Sequence, residues 1–333
     1  MSEPSVSIVV PVADGGAAFG ACLTALQRLS PPPHDLIVVD DGSTDGSAER
    51  AAAAGAQVIR MARRAGPAAA RNRGASAVTG EVVLFVDADV LVTPDTVSRV
   101  QQVMSDRTLT AVIGSYDSHP TAPGLVSQYK NLVHRFVHQT SGPDAFTFWG
   151  ACGAVRRDTF QALGGFDERY LRPSVEDIEL GYRLRRAGHR IRFDPTLEVT
   201  HAKGWTLTSW VRTDIVDRAL PWSDLLLREG RIDNGLNLRV ATRACVVLAW
   251  VALLAAIAGV AVDGAWHIWA GALALLTLLD LPLWHYLFRL RGPWFTLRAA
   301  PLHWLYYLYS GAAFAFAATR HVASGRARRV EPA

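Results

Sequence analysis

The chain has 333 residues, half of them hydrophobic, with 34 Lys and Arg against 30 Asp and Glu and a formal charge of +4. The basic residues lack the interleaved aromatics of a nucleic-acid surface, which argues against a nucleic-acid partner. Three widely spaced cysteines, Cys22, Cys152 and Cys245, exclude a disulfide framework and a cysteine-rich metal site and point to a reducing compartment.

Val6-Ser7-Ile8-Val9-Val10-Pro11 reads as a first strand, not a signal peptide. A Gly15-Gly16 turn leads into a helix from Ala17 to Leu29, which Pro31-Pro32-Pro33 ends. Leu36 to Val39 is a second strand, closed by Asp40-Asp41-Gly42-Ser43. Ser43 is expected to cap a helix running to Gly55. Gln57 to Met61 is a third strand, and Gly66-Pro67 opens a helix to Val78. Val82 to Val86 is a short, wholly apolar strand. Thr93 and Pro94 suit the cap and first position of the next helix. Strand and helix alternate, so a doubly wound, mostly parallel α/β sheet is expected.

Residues 110–203 are less regular and richer in polar and aromatic residues. Residues 205–230 read as amphipathic helices at a membrane interface, with Trp205, Leu207, Trp210, Val211, Ile215 and Leu220 as the apolar face. The last third is a series of apolar runs. Ala244 to Val262 is 19 residues without a charge, close to what a bilayer core requires. Gly264 to Phe288 is a second candidate span and must bury or pair His267, Asp280 and His285. Pro301 to Ala318 is a third. Much of the positive charge flanks these runs: Arg239, Arg243, Arg289, Arg291, Arg298, Arg320, Arg326, Arg328 and Arg329. That distribution sets the soluble part on the cytoplasmic side of a multi-pass membrane protein. The expected organisation is a soluble domain at 1–204, an interfacial helical linker at 205–239, two or three spans at 240–320, and a basic tail at 321–333.

The chemistry-bearing residues gather at strand ends. Asp87-Ala88-Asp89 follows the Val82 strand, where open α/β sheets bind ligands. Two acids there suit a divalent cation, Mg2+ or Mn2+, that completes its shell from a diphosphate and water. Asp89 is the expected metal ligand, with Asp87 as ribose or supporting partner. Asp41, at the same edge, can accept from a base N–H or a ribose hydroxyl. Arg71, one turn into a helix opened by small residues, can reach a phosphate or clamp an acid. Ser174 is expected to cap a later helix, and Glu176, Asp177 and Glu179 crowd its first turn. Glu179 suits an i, i+4 pair with Arg183, and a carboxylate open to a cleft suits a general base. The helix end would lower that carboxylate's pKa and a neighbouring acid would raise it. His201, after a late strand, is a candidate second metal ligand.

In this order the motifs resemble family 2 glycosyltransferases of the GT-A fold, a Rossmann-like doubly wound domain. The matching residues are Val6 to Pro11, Val38 to Asp45, Ala70-Arg71-Asn72-Arg73-Gly74, Asp87-Ala88-Asp89, Gly164 to Glu168, Glu176-Asp177 and His201. The resemblance implies inverting transfer of a sugar from a nucleotide-sugar donor. It implies Pro11 and Asp41 around the base, Asp87 at the ribose, Asp89 and His201 at a metal, and Asp177 as general base with Glu176 beside it. Trp149, Gly150 and Gly165 would line the acceptor side. After Pro11 the family often carries an aromatic residue and an asparagine; here Ala13 and Asp14 stand there, with Ala13 at the donor position. The spans add the expectation of a lipid-linked or envelope-glycan acceptor at the cytoplasmic membrane face. The alternative is a catalytically degenerate membrane protein that binds nucleotide-sugar.

Overall fold

The computed structural model describes residues 3–230 and 235–324. The chain divides into two compact units, one of residues 1–123 and 130–204, the other of 124–129 and 205–333.

In the first unit strand and helix alternate: β1 (Val6–Val12), α1 (Gly16–Leu26), β2 (Leu36–Asp40), α2 (Ser47–Ala53), β3 (Gln57–Arg60), α3 (Pro67–Ala75) and β4 (Val82–Val86). Then come β5 (Val90–Leu91), α4 (Thr96–Met104), β6 (Ala111–Tyr116), α5 (Leu125–Gln139), β7 (Asp144–Ala145), β8 (Cys152–Arg156), α6 (Arg157–Ala162), α7 (Glu176–Arg186) and β9 (Ile191–His201). The strands form one sheet in the order β3-β2-β1-β4-β8-β6-β9-β5, with β7 beside β9.

The expected parallel sheet holds for its first four strands, where Ile8 stands opposite both Leu36 and Leu84. Beyond β4 the sheet is mixed: β8 runs antiparallel to β4 and β6, and β9 returns parallel to β6. From β4 on the strict alternation that goes with parallel crossovers is broken, since β5 follows β4 and β8 follows β7 with no helix between. All five residues of β4 are buried, as a central strand covered on both faces requires. Gly74 lets α3 lie close on β1, because a Cβ there would come within 2.4 Å of Val9.

Three expected helix starts differ. Ser43 caps nothing; α2 begins at Ser47, whose N–H and hydroxyl both donate to Asp45 Oδ1. The next helix begins at Thr96 rather than Pro94, and Asp95 pairs with Arg99 one turn along. In α7 Glu176, not Ser174, makes the cap contact: its Oε2 accepts from the Ser174 N–H at 2.8 Å. The three cysteines are free and buried. Burial pushes the Cys22 and Cys152 thiols up to about 12, so both are protonated and inert.

The second unit is helical: α8 (Leu207–Arg212), a π-helical turn (Thr213–Ala219), α9 (Leu220–Glu229), α10 (Val240–Ala258), α11 (Ala265–Leu279) and α12 (Leu281–Ala323). Among the described residues, α10 alone is a single helix long and apolar enough to cross a membrane. The other two expected spans are not separate: α11 and α12 meet the criterion only as a pair bent by 63°. The bend falls at Asp280, and α12 kinks again at Gly292, followed by Pro293. Asp280 is buried and paired, its Oδ1 accepting from the Tyr307 hydroxyl at 2.7 Å, whereas His267 and His285 lie exposed. Trp205 and Trp210 of the expected interfacial face are buried; Leu207 remains exposed. Asp214 accepts from Trp210 Nε1 and from the Tyr309 hydroxyl. Most of the expected basic tail, with Arg326, Arg328 and Arg329, lies outside the described residues, as do 231–234 of the linker.

Candidate active site

The carboxyl ends of β1, β2 and β4 share one rim of the sheet. At the first, Pro11 is half-buried opposite Val39, and Ala13 is exposed. Asp14 takes a positive φ of 54°. It receives the Thr44 N–H on Oδ1 at 2.7 Å and pairs with Arg64 through Oδ2. Asp41 is buried, and its two oxygens accept from the N–H groups of Ala65 and Gly66 at 2.7 and 2.8 Å. Its carboxylate thus fixes the loop leading into α3. The remaining acceptor capacity of a carboxylate is what Asp41 has for a ligand.

At the end of β4 a second cluster forms. Arg71 is buried and bridges two acids: Nη2 donates to Asp87 Oδ1 at 2.6 Å and Nη1 to Glu176 Oε1 at 2.8 Å. Of the two options open in the sequence for Arg71, phosphate contact or acid clamp, it is engaged as a clamp. Asp177 follows Glu176 in the first turn of α7; its Oδ2 accepts from the Gly150 N–H and its Oδ1 from the Ile178 N–H. Burial, and after it the Glu176 charge, push the Asp177 carboxyl up to about 6, outweighing the amides and Arg71. Gly150 is fixed by this packing: a Cβ there would stand 3.2 Å from the Arg71 guanidinium.

Three residues beyond Asp87, β5 pairs antiparallel with the end of β9, Val90 opposite His201. The Ala202 N–H donates to the Asp89 carbonyl at 2.8 Å. This pairing sets Asp89 Oδ2 3.5 Å from His201 Nε2. His201 Nδ1 lies 2.7 Å from Asn131 Oδ1, which only accepts, so Nδ1 carries the hydrogen. With Nδ1 engaged by Asn131, Nε2 is the ring nitrogen turned toward Asp89. One carboxylate oxygen and one imidazole nitrogen fit Mg2+ or Mn2+ when a diphosphate and water complete the shell. Among the described residues no group of three or more His, Cys, Asp or Glu forms a protein-only metal cage.

Trp149 is buried beside Tyr116, His134 and His138, and Tyr116 stacks on His201 with ring centroids 4.5 Å apart. Burial pushes His138 down to about 4, and its Nδ1–H donates to the Gly114 carbonyl, so it serves as a neutral packing group. Gly165 (φ +70°) sits against Asn72, where a Cβ would fall 2.4 Å from Oδ1. Asn72 receives the Phe166 N–H and donates to the Phe166 carbonyl. Arg183 pairs with Glu179, as the spacing predicts, and also donates to the Leu163 and Gly165 carbonyls. Arg71, Asp87, Glu176, Asp177 and Gly150 thus form one cluster and Asp89 and His201 its neighbour. Pro11, Ala13 and Asp41 lie at the β1–β2 rim, and Gly165 is a clamp on α3. Asn131 and Tyr116 carry no motif in the sequence; only the fold brings them to His201.

Residues 7–164 match the model of glycosyl transferase family 2. Among the relatives of this chain is the pre-mycofactocin glycosyltransferase of Mycobacterium tuberculosis. It is 29% identical over 219 residues, 63% of this chain and 45% of the relative, so this chain spans under half of that protein. The O-antigen chain rhamnosyltransferase of Salmonella anatum is 24% identical over 66% of this chain and 74% of its own. In fold the chain is similar to the mannosyltransferase of Pyrobaculum calidifontis, solved with GDP-Man and Mn2+. The TM-score is 0.63 at 21% identity, over 90% of this chain and 87% of that one. The expected GT-A architecture is borne out.

Proposed function

We propose that this protein transfers a sugar from a nucleoside-diphosphate sugar to a hydroxyl or phosphate acceptor, with inversion at the anomeric carbon. The acceptor is lipid-linked or an envelope glycan at the cytoplasmic face of the membrane. The observation that carries the reading is the Asp87–Arg71–Glu176 bridge with Asp177 beside it, which joins a ribose-side acid to a raised-pKa carboxylate. Asp177 takes the proton of the acceptor hydroxyl as the new bond forms, and its raised pKa makes it a stronger base than a solvated aspartate. Gly150 and Ile178 aim its oxygens. Asp41, Pro11 and Ala13 receive the base, Asp87 the ribose, and Trp149, Gly150 and Gly165 face the acceptor. Asp89 and His201 would hold Mg2+ or Mn2+, which when bound neutralises charge on the departing diphosphate.

The membrane part of the reading is supported by α10, a 19-residue helix long and apolar enough to span, and by Arg239 and Arg243 at its amino end. The O-antigen relative, named for a glycan-chain acceptor, supports the acceptor class. The chain is expected to stay in the membrane pellet after a carbonate wash and to leave it only with detergent; release by carbonate would contradict a spanning helix.

The test is product formation from UDP-, GDP- and dTDP-sugars by detergent-purified protein, with Mn2+ or Mg2+ and membrane lipid extract as acceptor. Metal- and lipid-dependent transfer is expected. Nucleotide binding without transfer to any acceptor would favour a non-catalytic binding protein. Gly150→Ala should lower transfer about tenfold, because its methyl displaces the Arg71 guanidinium by a few tenths of an ångström and moves the amide that holds Asp177. Full activity in that variant would show that this positioning is loose.

A further inference from the structure

Arg71 has a geometry that neither phosphate binding nor simple burial explains. Its partners come from distant parts of the chain: Asp87 is 16 residues away and Glu176 is 105. Each takes a different terminal nitrogen of one planar fork. The guanidinium is confined on its remaining sides. Gly150 closes over it, its absent Cβ only 3.2 Å from Cζ and Nη2. The Phe166 ring lies 5.4 Å from Cζ. Nε is buried without a hydrogen-bond partner among the described residues. Among the described residues, its hydrogen bonds therefore run through the two nitrogens that meet the acids. Glu176 has its other oxygen on the Ser174 N–H, so it cannot swing away to follow a displaced partner. Asp87 is the more exposed of the two acids, with a third of its side chain accessible at the rim.

We propose that Arg71 is a positioning residue that couples the donor rim to the acceptor base, one rigid guanidinium setting Asp87 and Glu176, and through Glu176 its neighbour Asp177, in a fixed relation. The inference rests on the reading of Asp177 as the base. A displacement of Asp87 is passed to the first turn of α7 without any contact between the two acids. Lysine cannot replace this, since a single ammonium on a flexible stem lacks the two-ended fork. Glu176 then acts through Asp177 and not on the substrate. The bridge also keeps a negative charge next to Asp177, in accord with the raised pKa of that carboxyl.

The test is a triple-mutant cycle of transfer kinetics. kcat and KM are measured for Asp87→Asn, Glu176→Gln and the double variant, first with Arg71 and then in an Arg71→Lys background. Melting temperatures and the affinities for UDP, GDP and dTDP with Mn2+ are recorded alongside. With Arg71 present, the double variant is expected to retain about tenfold more kcat/KM than the product of the single effects, because either change already breaks the bridge. In the Arg71→Lys background the two effects should multiply to within about twofold. Glu176→Gln should act on kcat and leave nucleotide affinity unchanged. Multiplicative effects in the Arg71 background, or the same coupling in both backgrounds, would overturn the inference while leaving the transferase reading intact. Loss of activity that tracks the melting temperature, with no change in coupling, would reduce Arg71 to a structural residue. Absence of transfer by the wild type would overturn both the inference and the reading on which it rests.

Discussion

Asp177→Asn is expected to lower the transfer rate by about 10²–10⁴, the usual contribution of a general base, with nucleotide affinity changed less than about threefold. The amide keeps the size of the carboxylate but cannot accept a proton. It also has one acceptor oxygen where Asp177 uses two, one for the Gly150 N–H and one for the Ile178 N–H. One of those amides will face the new NH2 group, so a stability loss of about 1–3 kcal/mol accompanies the substitution. Binding of UDP, GDP or dTDP separates the two effects: a folded variant that binds nucleotide and does not transfer identifies the base, and near-normal turnover would remove Asp177 from that role. The pH profile supplies an independent check. With the carboxyl at about 6, kcat/KM should fall tenfold per unit below that pH as the base becomes protonated. Burial is the larger cause of the shift and the Glu176 charge the second, so Glu176→Gln should move the limb to lower pH without removing it. Stability runs the other way. The folded-state pKa lies above that of the unfolded chain, so the group favours folding in acid and this contribution is lost as the pH rises through about 6.

The residues that were legible in the sequence are those whose role is local. β1, β2 and β4 announce themselves because each strand is a short, mostly buried run ended by a turn. The Asp87-Ala88-Asp89 turn is visible because it follows one of them. Glu179 and Arg183 pair because four residues return a helix to the same face. What the sequence does not show is non-local. Nothing near Arg71 indicates that Glu176, 105 residues on, will take one of its nitrogens, and nothing near Asn131 indicates that it will fix the tautomer of His201, 70 residues away. The sheet beyond β4 follows the same logic, because antiparallel return depends on pairing between strands that no periodicity marks. The competition over the Asp177 pKa, open from sequence, is decided by burial. In the helical unit the apolar runs are plain, but nothing near Asp280 indicates the bend there or the Tyr307 hydroxyl that its carboxylate meets, and composition alone reads such a run as a straight span.

Removal of Asp89 is the sharper test of the metal reading. Asp89→Ala removes the carboxylate that stands 3.5 Å from His201 Nε2 and leaves the imidazole as the remaining member of the pair. The Mn2+ concentration for half-maximal transfer should rise at least about 100-fold, and metal-dependent tightening of UDP, GDP or dTDP should vanish. The backbone pairing survives, because the Ala202 N–H meets the residue-89 carbonyl and not the side chain, so the melting temperature should change little. Asn131→Leu gives the graded companion. It removes the acceptor on Nδ1, freeing the imidazole to place its hydrogen on Nε2, and should weaken Mn2+ by about 10–100-fold with Asp89 still present. A loss with Asp89→Ala and a smaller loss with Asn131→Leu, both read by Mn2+ binding in the presence of nucleotide, would assign the pair as ligands. Donor affinity that is unchanged in Asp89→Ala with metal present would mean that Asp89 and His201 only pin β5 to β9, and that any cation is held elsewhere on the rim.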